Sequence, residues 1–304
     1  MIYSRLNPLK GFIKWIVPYG AYKLYVQGRM PRDIITQYYS GNRIPFSLGY
    51  QEARFKLVEE VIYSHQIDYF ISKSSLPDNY GLLFDERVVE YPWIFANLNK
   101  EAGSKLLDIG PALNHEFCIN YFDRACQIKQ IVMLSITPEA NCFYQRNVSY
   151  YLCDTRSLPF LDNYFDQITC ISTLEHIGMD NTKYGSIKEF KPEDYKIALI
   201  EMKRILKPGG LLLITVPFGK YSSEDVGGSQ QRFDRQMIEE SIKAFEPSEL
   251  DVSFYSYSSK GWNLSSLDSC VEADYNSSED FEVSELNRGC PVRAGAIACM
   301  KFKK

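Results

Sequence analysis

The sequence has 304 residues, of which 45% are hydrophobic and 24% are charged. That length allows one large domain, or one domain with a sizeable extension. The net charge is −4, whereas a protein that binds nucleic acid through its phosphates needs a strongly basic face. Nucleic acid is therefore not expected as a partner. No apolar run reaches the length of a membrane-spanning helix.

The first 32 residues differ in charge from the rest of the chain. They carry six basic residues and no acidic one, whereas the remainder has 28 basic and 38 acidic residues. Between Gly11 and Val26, basic residues alternate with Trp, Tyr and aliphatic residues, which is typical of a short segment on an anionic membrane surface. A helix that packs an apolar stripe on the rest of the protein is the second interpretation. With no recognisable signal peptide, the expected location is the cytoplasm, with peripheral contact at the inner membrane face through residues 1–32.

Residues 1–100 are predicted to form this basic, aromatic segment followed by a mostly helical cap. Within the cap, residues 51–66 have apolar side chains near helical spacing. Residues 80–93 are predicted to be loop-like or extended. Residues 101–304 are predicted to form a separate domain.

From Lys105 onward, apolar strand-like runs alternate with helical patterns. This alternation predicts an α/β, Rossmann-like, mostly parallel sheet of seven strands with helices on both faces. Strands are predicted at 105–110, 130–136, 150–153, 166–172, 211–216, 252–257 and 295–302, the last two as an antiparallel pair. Helices are predicted at 113–122, 138–146, 192–206 and 235–245.

Polar residues follow several of these strands, at the edge of the sheet where open α/β proteins bind ligands. The informative stretches are 106–114, 153–166 and 165–178, together with the helix, Pro-Gly-Gly turn and strand of 202–217. Over residues 105–302 they resemble the class I S-adenosylmethionine-dependent methyltransferases. Among these, the sequence is most similar to small-molecule and sugar methyltransferases associated with bacterial surface-glycan pathways.

The resemblance implies S-adenosylmethionine as the cofactor and assigns residues to it. Asp108 would orient the turn after the first strand and reach toward the amino group of the ligand, and Gly110 would lie under its aminoacyl chain. Asp154 would accept the adenine amino group, and the backbone N–H of Thr155 would meet a ring nitrogen. Ser135 occupies the position of the ribose contact.

Two features depart from the pattern of the family. The turn after Asp108 has only the first of three expected glycines, and Ser135 replaces a carboxylate that binds both ribose hydroxyls. A serine cannot make that bidentate, charge-assisted contact. Glu139 is expected in the first turn of the helix at 138–146, and the sequence does not decide whether it substitutes.

Glu175 and His176 follow the fourth strand directly, where the resemblance places the reactive methyl group. His176 is the candidate general base, because histidine can accept a proton near neutral pH. Glu175 is the candidate group that orients His176 or contacts the cofactor. Tyr184 is predicted to stack on a sugar face and Arg232 to contact an anion of the substrate. No metal site is expected.

The sequence therefore predicts methyl transfer from S-adenosylmethionine to an oxygen or nitrogen of a small molecule, with a sugar or glycan intermediate as the expected acceptor. The alternative is a non-catalytic scaffold or partner protein with a methyltransferase-like fold, in which cofactor binding is weakened or lost. The altered glycine turn and Ser135 favour the alternative, whereas the Asp154 stretch and the end of the fourth strand favour the enzyme.

Overall fold

The computed structural model describes residues 31–101, 103–126, 128–185, 188–278 and 280–304. The predicted membrane contact concerns residues 1–32, and of these only residues 31 and 32 lie within the described ranges. Within them, no helix combines the length and apolarity needed to cross a bilayer.

The chain divides into two compact units, with the boundary between Ala53 and Arg54. The predicted division near residue 100 into a cap and a separate domain stays a prediction. Residues 80–97 are bonded to later parts of the second unit. For example, the indole N–H of Trp262 donates to the carbonyl of Phe84 at 3.1 Å, and the backbone N–H of Ala294 donates to Glu86 at 3.2 Å.

Helices and strands are numbered along the described chain. The order is α1 (Pro31–Ser40), α2 (Tyr50–Ile62), α3 (Asp68–Ile71), α4 (Arg87–Asn97), β1 (Lys105–Ile109), α5 (Glu116–Ala125), β2 (Gln130–Ser135), β3 (Val148–Leu152), β4 (Phe165–Ile171), α6 (Tyr195–Ile205), β5 (Leu206–Pro217), β6 (Ser222–Asp225), β7 (Gln230–Arg232), α7 (Arg235–Phe245), β8 (Glu249–Ser258), β9 (Gly261–Ser265), α8 (Leu267–Cys270), α9 (Val283–Asn287) and β10 (Ala296–Lys303).

The main sheet has eight strands in the order β3-β2-β1-β4-β5-β10-β8-β9. The first five are parallel, and β10, β8 and β9 continue the sheet in antiparallel pairs. The α/β Rossmann-like architecture is confirmed, but the predicted number of seven strands is one too few. The additional strand is β9, which pairs with β8 across a turn between Ser258 and Gly261. Strands β6 and β7 form a separate hairpin.

The parallel strands are built from apolar runs because both faces of this part of the sheet are covered. In β1, Leu106, Leu107 and Ile109 have no exposed surface. One cluster of buried side chains includes residues of β1, β2, β4 and β5 together with residues of α6 and α7. This packing fixes the carboxyl ends of four neighbouring parallel strands at one edge of the sheet.

Two predicted elements are wrong. Residues 80–93 were expected to be a loop or extended, but α4 begins at Arg87 and contains Pro92. Proline cannot donate the helical hydrogen bond to the carbonyl four residues earlier. The hydroxyl of Tyr80 donates to that carbonyl, on Val88, at 2.6 Å, so the helix tolerates Pro92.

The second wrong element is the helix at 138–146. Most of that segment is a loop, and only Tyr144–Arg146 forms a short 3-10 turn. As a result Glu139 does not sit in the first turn of a helix.

Candidate active site

A cavity of about 450 Å³ lies at the carboxyl ends of the parallel strands. Its wall combines the loops that follow β1, β2, β3 and β4 with Arg87 of α4. The volume and position are those of a small-molecule site in an open α/β sheet. Six of the nine residues assigned from the sequence line it, namely Gly110, Ser135, Asp154, Thr155, His176 and Tyr184.

Gly110 forms part of the wall directly after β1. Its φ is +72°, a conformation that glycine adopts at no steric cost. A Cβ added there would lie 2.0 Å from Oγ1 of Thr173. Glycine is therefore required for both the backbone conformation and the close approach of the loop that follows β4.

Asp108 does not line the cavity. It is fully buried, and its two oxygens accept hydrogen bonds from the backbone N–H of Leu113 and from the hydroxyl of Thr169, each at 2.7 Å. Burial raises the pKa of this carboxyl to about 7, although both hydrogen bonds oppose the shift. These bonds hold the turn after β1, and the reach of Asp108 toward the amino group of a ligand, directly or through water, stays a prediction.

The loop after β3 carries a charged network around Arg156. The guanidinium is 2.6 Å from Asp154, 2.8 Å from Glu189 and 2.6 Å from Asp194. The hydrogen bonds of Arg156 hold the pKa of Asp154 below its usual value. Asp154 therefore presents an ionised carboxylate at the cavity, next to the largely buried Thr155.

His176 lies in the 3-10 turn that follows β4. Its Nδ1 is within hydrogen-bonding distance of the carbonyl oxygen of Ser229. Because a carbonyl only accepts, Nδ1 carries the proton and Nε2 is left with a free lone pair. Within the described ranges Nε2 has no hydrogen-bond partner. Burial lowers the pKa of His176 to about 4, so the ring is neutral near pH 7.

Glu175 does not orient His176. It is 1% exposed, it does not line the cavity, and its Oε2 has no hydrogen-bond partner among the described residues. Burial raises the pKa of Glu175 well above its usual value. The carbonyl of Ser229 contacts Nδ1 of His176, in the orienting position that the sequence suggested for Glu175, and a contact of Glu175 with the cofactor stays a prediction.

Residues 178–191, called here the 178–191 loop, bring Tyr184 to the cavity. The ring of Tyr184 meets that of His176 edge to face, with centroids 6.0 Å apart. The two ends of the loop meet, since the backbone N–H of Lys191 donates to the carbonyl of Gly178 at 2.7 Å. Gly178 has a φ of +81°, and a Cβ there would lie 2.0 Å from the Lys191 carbonyl oxygen.

Arg232 is not in the cavity, and its predicted contact with a substrate anion is not supported. The side chain is 8% exposed. It donates to Asp225 at 3.1 Å, to Asp274 at 3.2 Å and to the carbonyl of Ala273 at 2.8 Å. These bonds fasten β7 to the chain around Asp274, so Arg232 has a structural role.

Arg87 is a cavity residue that the sequence did not reveal. One guanidinium nitrogen donates to Glu90 at 2.8 Å, and the other oxygen of Glu90 accepts from the hydroxyls of Ser172 and Thr215, each at 2.6 Å. Glu90 is fully buried, and Ser172 has a φ of +39°. The only signal in the sequence was the spacing of three between Arg87 and Glu90, which is common on helices.

The comparisons with known proteins agree with this location. Residues 107–214 match a family model described as a methyltransferase domain. The match begins in β1 and ends in β5, so it coincides with the parallel part of the sheet. Over residues 107–214 the chain is therefore similar to methyltransferase domains, and S-adenosylmethionine is the cofactor that this similarity supports.

Curated proteins match shorter stretches. The ubiquinone/menaquinone biosynthesis C-methyltransferase UbiE of Paraburkholderia xenovorans is 40% identical over 63 residues, which is 21% of this chain and 20% of that protein. The protein of the same name from Cellvibrio japonicus is 36% identical over 78 residues, 26% of this chain and 25% of that protein. The chain thus spans only a fifth to a quarter of these relatives.

Solved structures are similar at a lower level. An S-adenosylmethionine-dependent methyltransferase of Methanosarcina mazei is 13% identical, with coverage of 70% of this chain and 97% of that chain and a TM-score of 0.41. A phosphoethanolamine N-methyltransferase of Haemonchus contortus, solved with S-adenosylhomocysteine, is 19% identical over 51% of this chain and 35% of that chain, with a TM-score of 0.40. Scores at this level support no inference about function.

The residues of the cavity fit S-adenosylmethionine. Gly110 keeps the wall after β1 free of a side chain. Ser135, Glu139 and Asp154 supply acceptors for hydroxyl and amino groups along the neighbouring loops. Arg87 supplies a guanidinium to the same cavity, which suits a carboxylate because its N–H groups match carboxylate geometry.

Proposed function

We propose that this chain transfers the methyl group of S-adenosylmethionine to an oxygen or nitrogen of a small molecule, with His176 as the general base. The observation that carries the proposal is the neutral imidazole of His176 at the cavity, with Nδ1 held by the Ser229 carbonyl and Nε2 free. A base in this state can accept the proton of an acceptor hydroxyl or ammonium group.

The cofactor supplies a methyl group bound to a positively charged sulfur, which is electrophilic without further activation. The contribution of the protein is to align the acceptor and to remove its proton. As the acceptor displaces S-adenosylhomocysteine from the methyl carbon, with the sulfur–carbon bond breaking, the acceptor proton would pass to Nε2 of His176 and then to solvent. The low pKa of His176 makes it a weak base, but it keeps the ring unprotonated throughout the neutral range.

We propose a sugar or glycan intermediate as the acceptor. The resemblance of residues 178–185 to an insertion in glycan-associated methyltransferases supports it. Tyr184 is 41% exposed and its ring touches that of His176, so a sugar face stacked on Tyr184 would bring a hydroxyl near Nε2. The amide of Asn181, also at the cavity, donates to the His176 carbonyl at 2.8 Å and steadies this part of the loop.

The matched relatives are named as C-methyltransferases, which favours a carbon acceptor as the second candidate. A carbon next to an acidic hydroxyl would use the same base. NMR analysis of the product separates the two, because the chemical shifts of a methyl group on carbon differ from those of a methyl group on oxygen or nitrogen.

Calorimetric titration with S-adenosylmethionine and S-adenosylhomocysteine is the first test. Micromolar binding is expected, followed by transfer of isotope-labelled methyl groups in a screen of sugars, nucleotide sugars and phenolic carbon acceptors. No binding at millimolar ligand would contradict the enzyme and favour the non-catalytic scaffold. The role of His176 is tested with the variant His176→Asn. Its control is His65→Asn, because His65 is exposed and outside the cavity.

A further inference from the structure

Strand β2 ends at Ser135, which is 9% exposed and lines the cavity. The hydroxyl oxygen of Ser135 already accepts the backbone N–H of Thr137 at 3.2 Å. Ser135 can donate one hydrogen bond to a ligand, but it provides no negative charge. If the cavity binds a nucleoside, its vicinal hydroxyls need another acceptor.

Glu139 reaches the same cavity from the loop that follows Ser135. This is possible because residues 138–143 do not form the helix that their sequence predicts. In the first turn of a helix, Glu139 would be held on the helix surface. In the loop, the bond between Thr137 and Ser135 turns the chain directly after β2, and Glu139 comes to lie beside the strand end.

The position of Glu139 is fixed by buried neighbours. The amide nitrogen of Asn114, which is 3% exposed, donates to Oε2 of Glu139 at 3.1 Å and to the carbonyl of Asn141 at 3.0 Å. The Asn114 oxygen accepts from the hydroxyl of Tyr150 at 2.8 Å. The same hydroxyl accepts the backbone N–H of Phe143 at 2.9 Å. One asparagine and one tyrosine thus fasten both ends of the loop.

The electrostatic setting of Glu139 is also unusual. Among the described residues it has no cation within ion-pair distance, and only its Oε2 accepts a hydrogen bond. Asp154 and Glu189, which share the cavity, are both paired with Arg156. A half-buried carboxylate without a cation is costly to desolvate, unless a ligand with hydrogen-bond donors completes its shell.

We propose that Glu139 binds the two ribose hydroxyls of the adenosyl ligand through its carboxylate, in place of the carboxylate that β2 lacks, with Ser135 as a weaker second contact. Asn114 and Tyr150 are positioning residues that hold Glu139 in place. This inference rests on the proposed function, because it concerns the cofactor of that reaction. Two charge-assisted hydrogen bonds on a vicinal diol would be lost together if Glu139 became neutral.

The test is calorimetric titration of the full chain with S-adenosylhomocysteine and with its 2′,3′-dideoxy analogue. Glu139→Gln keeps an oxygen for Asn114 but removes the charge. It should bind S-adenosylhomocysteine about 10-fold to 100-fold more weakly than the parent, and bind the dideoxy analogue as the parent does. Glu60→Gln is the matched control, since Glu60 is exposed and outside the cavity.

A second variant tests whether Glu139→Gln lowers affinity through the lost charge or through a change in the loop. Ser135→Asp in the Glu139→Gln background puts a carboxylate back at the end of β2 and should recover part of the lost affinity. Equal weakening of both ligands by Glu139→Gln, or no weakening, would overturn the inference while leaving the proposed function intact. Failure of the parent chain to bind S-adenosylhomocysteine would overturn both.

Discussion

The ionisable groups on the two sides of the cavity differ in the direction and the cause of their pKa shifts. After β2 and β3, Glu139 and Asp154 lie at the cavity surface, and the hydrogen bonds of Arg156 lower the pKa of Asp154. Behind the loop after β4 and directly before α4, burial raises the pKa of Glu175 and of Glu86, which do not line the cavity, whereas it lowers the pKa of His176, which does, to about 4. These two carboxyl groups and His176 are therefore biased toward their neutral forms, while Arg87 and Glu90 form an ion pair in the same region.

This difference matches two different tasks. A side that recognises hydroxyl and amino groups gains from charged acceptors, because charge-assisted hydrogen bonds are the strong ones. A side that accepts a proton during reaction gains from a neutral base in a dry setting. The comparison predicts that substitutions on the two sides affect different quantities, namely affinity on the first side and rate or stability on the second.

The largest expected effect is on the rate. His176→Asn should lower kcat by about 10²-fold to 10⁴-fold, the usual contribution of a general base. Affinity for S-adenosylhomocysteine should change little, because Asn can still donate to the Ser229 carbonyl. Steady-state kinetics and calorimetry on the same preparation measure both. Equal loss of rate and affinity would show that His176 shapes the cofactor site and does not act as a base.

The next effect is on stability. Arg87→Met removes the cation from Glu90, which is fully buried, and should destabilise the fold by about 3 kcal/mol. Urea unfolding at pH 7 measures this. The double variant with Glu90→Gln should lose less, because no unpaired charge is then buried. A single variant as stable as the parent would mean that the ion pair is not maintained in solution.

A smaller effect is expected on affinity at the other side of the cavity. Asp154→Ala should weaken binding of S-adenosylhomocysteine about 10-fold, as expected for one charged hydrogen bond. Asp162→Ala is a matched control, because Asp162 is also paired with an arginine, Arg204 at 2.7 Å, and is outside the cavity. Similar affinities of the two variants would refute the adenine contact of Asp154.

The last effect is confined to acidic pH and leaves the stability of the protein at pH 7 almost unchanged. The pKa of His176 is about 4 in the folded chain and 6.5 for an ordinary histidine. Between these values the unfolded chain binds a proton that the folded chain does not, so His176 makes stability rise with pH from 4 to 6.5. The slope due to one such group is at most about 1.4 kcal/mol per pH unit. The free energy of unfolding of His176→Asn should therefore depend less on pH between 4 and 7 than that of the parent. In an NMR titration of the parent, a midpoint of His176 near 6.5 would contradict this.

Most of the sheet was predictable because its signal is local. Runs of buried residues such as those of β1 and β4 mark strands wherever both faces are covered, and the helix at Arg235–Phe245 has the predicted bounds. Strand β9 was missed because its residues Gly261 to Ser265 include few apolar ones, and it exists by pairing with β8.

Most of the predicted residues that line the cavity, such as Gly110, Asp154 and His176, lie within five residues of the end of a strand. Tyr184 is the exception, because it lies farther along the chain after β4. The location of Glu139 was predicted wrongly, because the predicted helix at 138–146 does not form. Bonds from Asn114 and Tyr150 to the loop override a locally helical sequence. The position of Arg87 was not predicted, because it begins a helix that contains a proline. The hydrogen bond from Tyr80 to that helix lets α4 tolerate the proline. Such contacts join residues far apart or compensate for a missing bond, and no periodic pattern records them.

The closed base of the 178–191 loop has a consequence for how this protein could vary. Because Gly178 and Lys191 bond to each other directly, the chain leaves and rejoins the domain at almost one point. Changes of length or composition between those two residues need not disturb β4 or α6. The segment that carries Tyr184 can therefore differ in length or composition between related proteins, provided that Glu189 keeps its ion pair with Arg156.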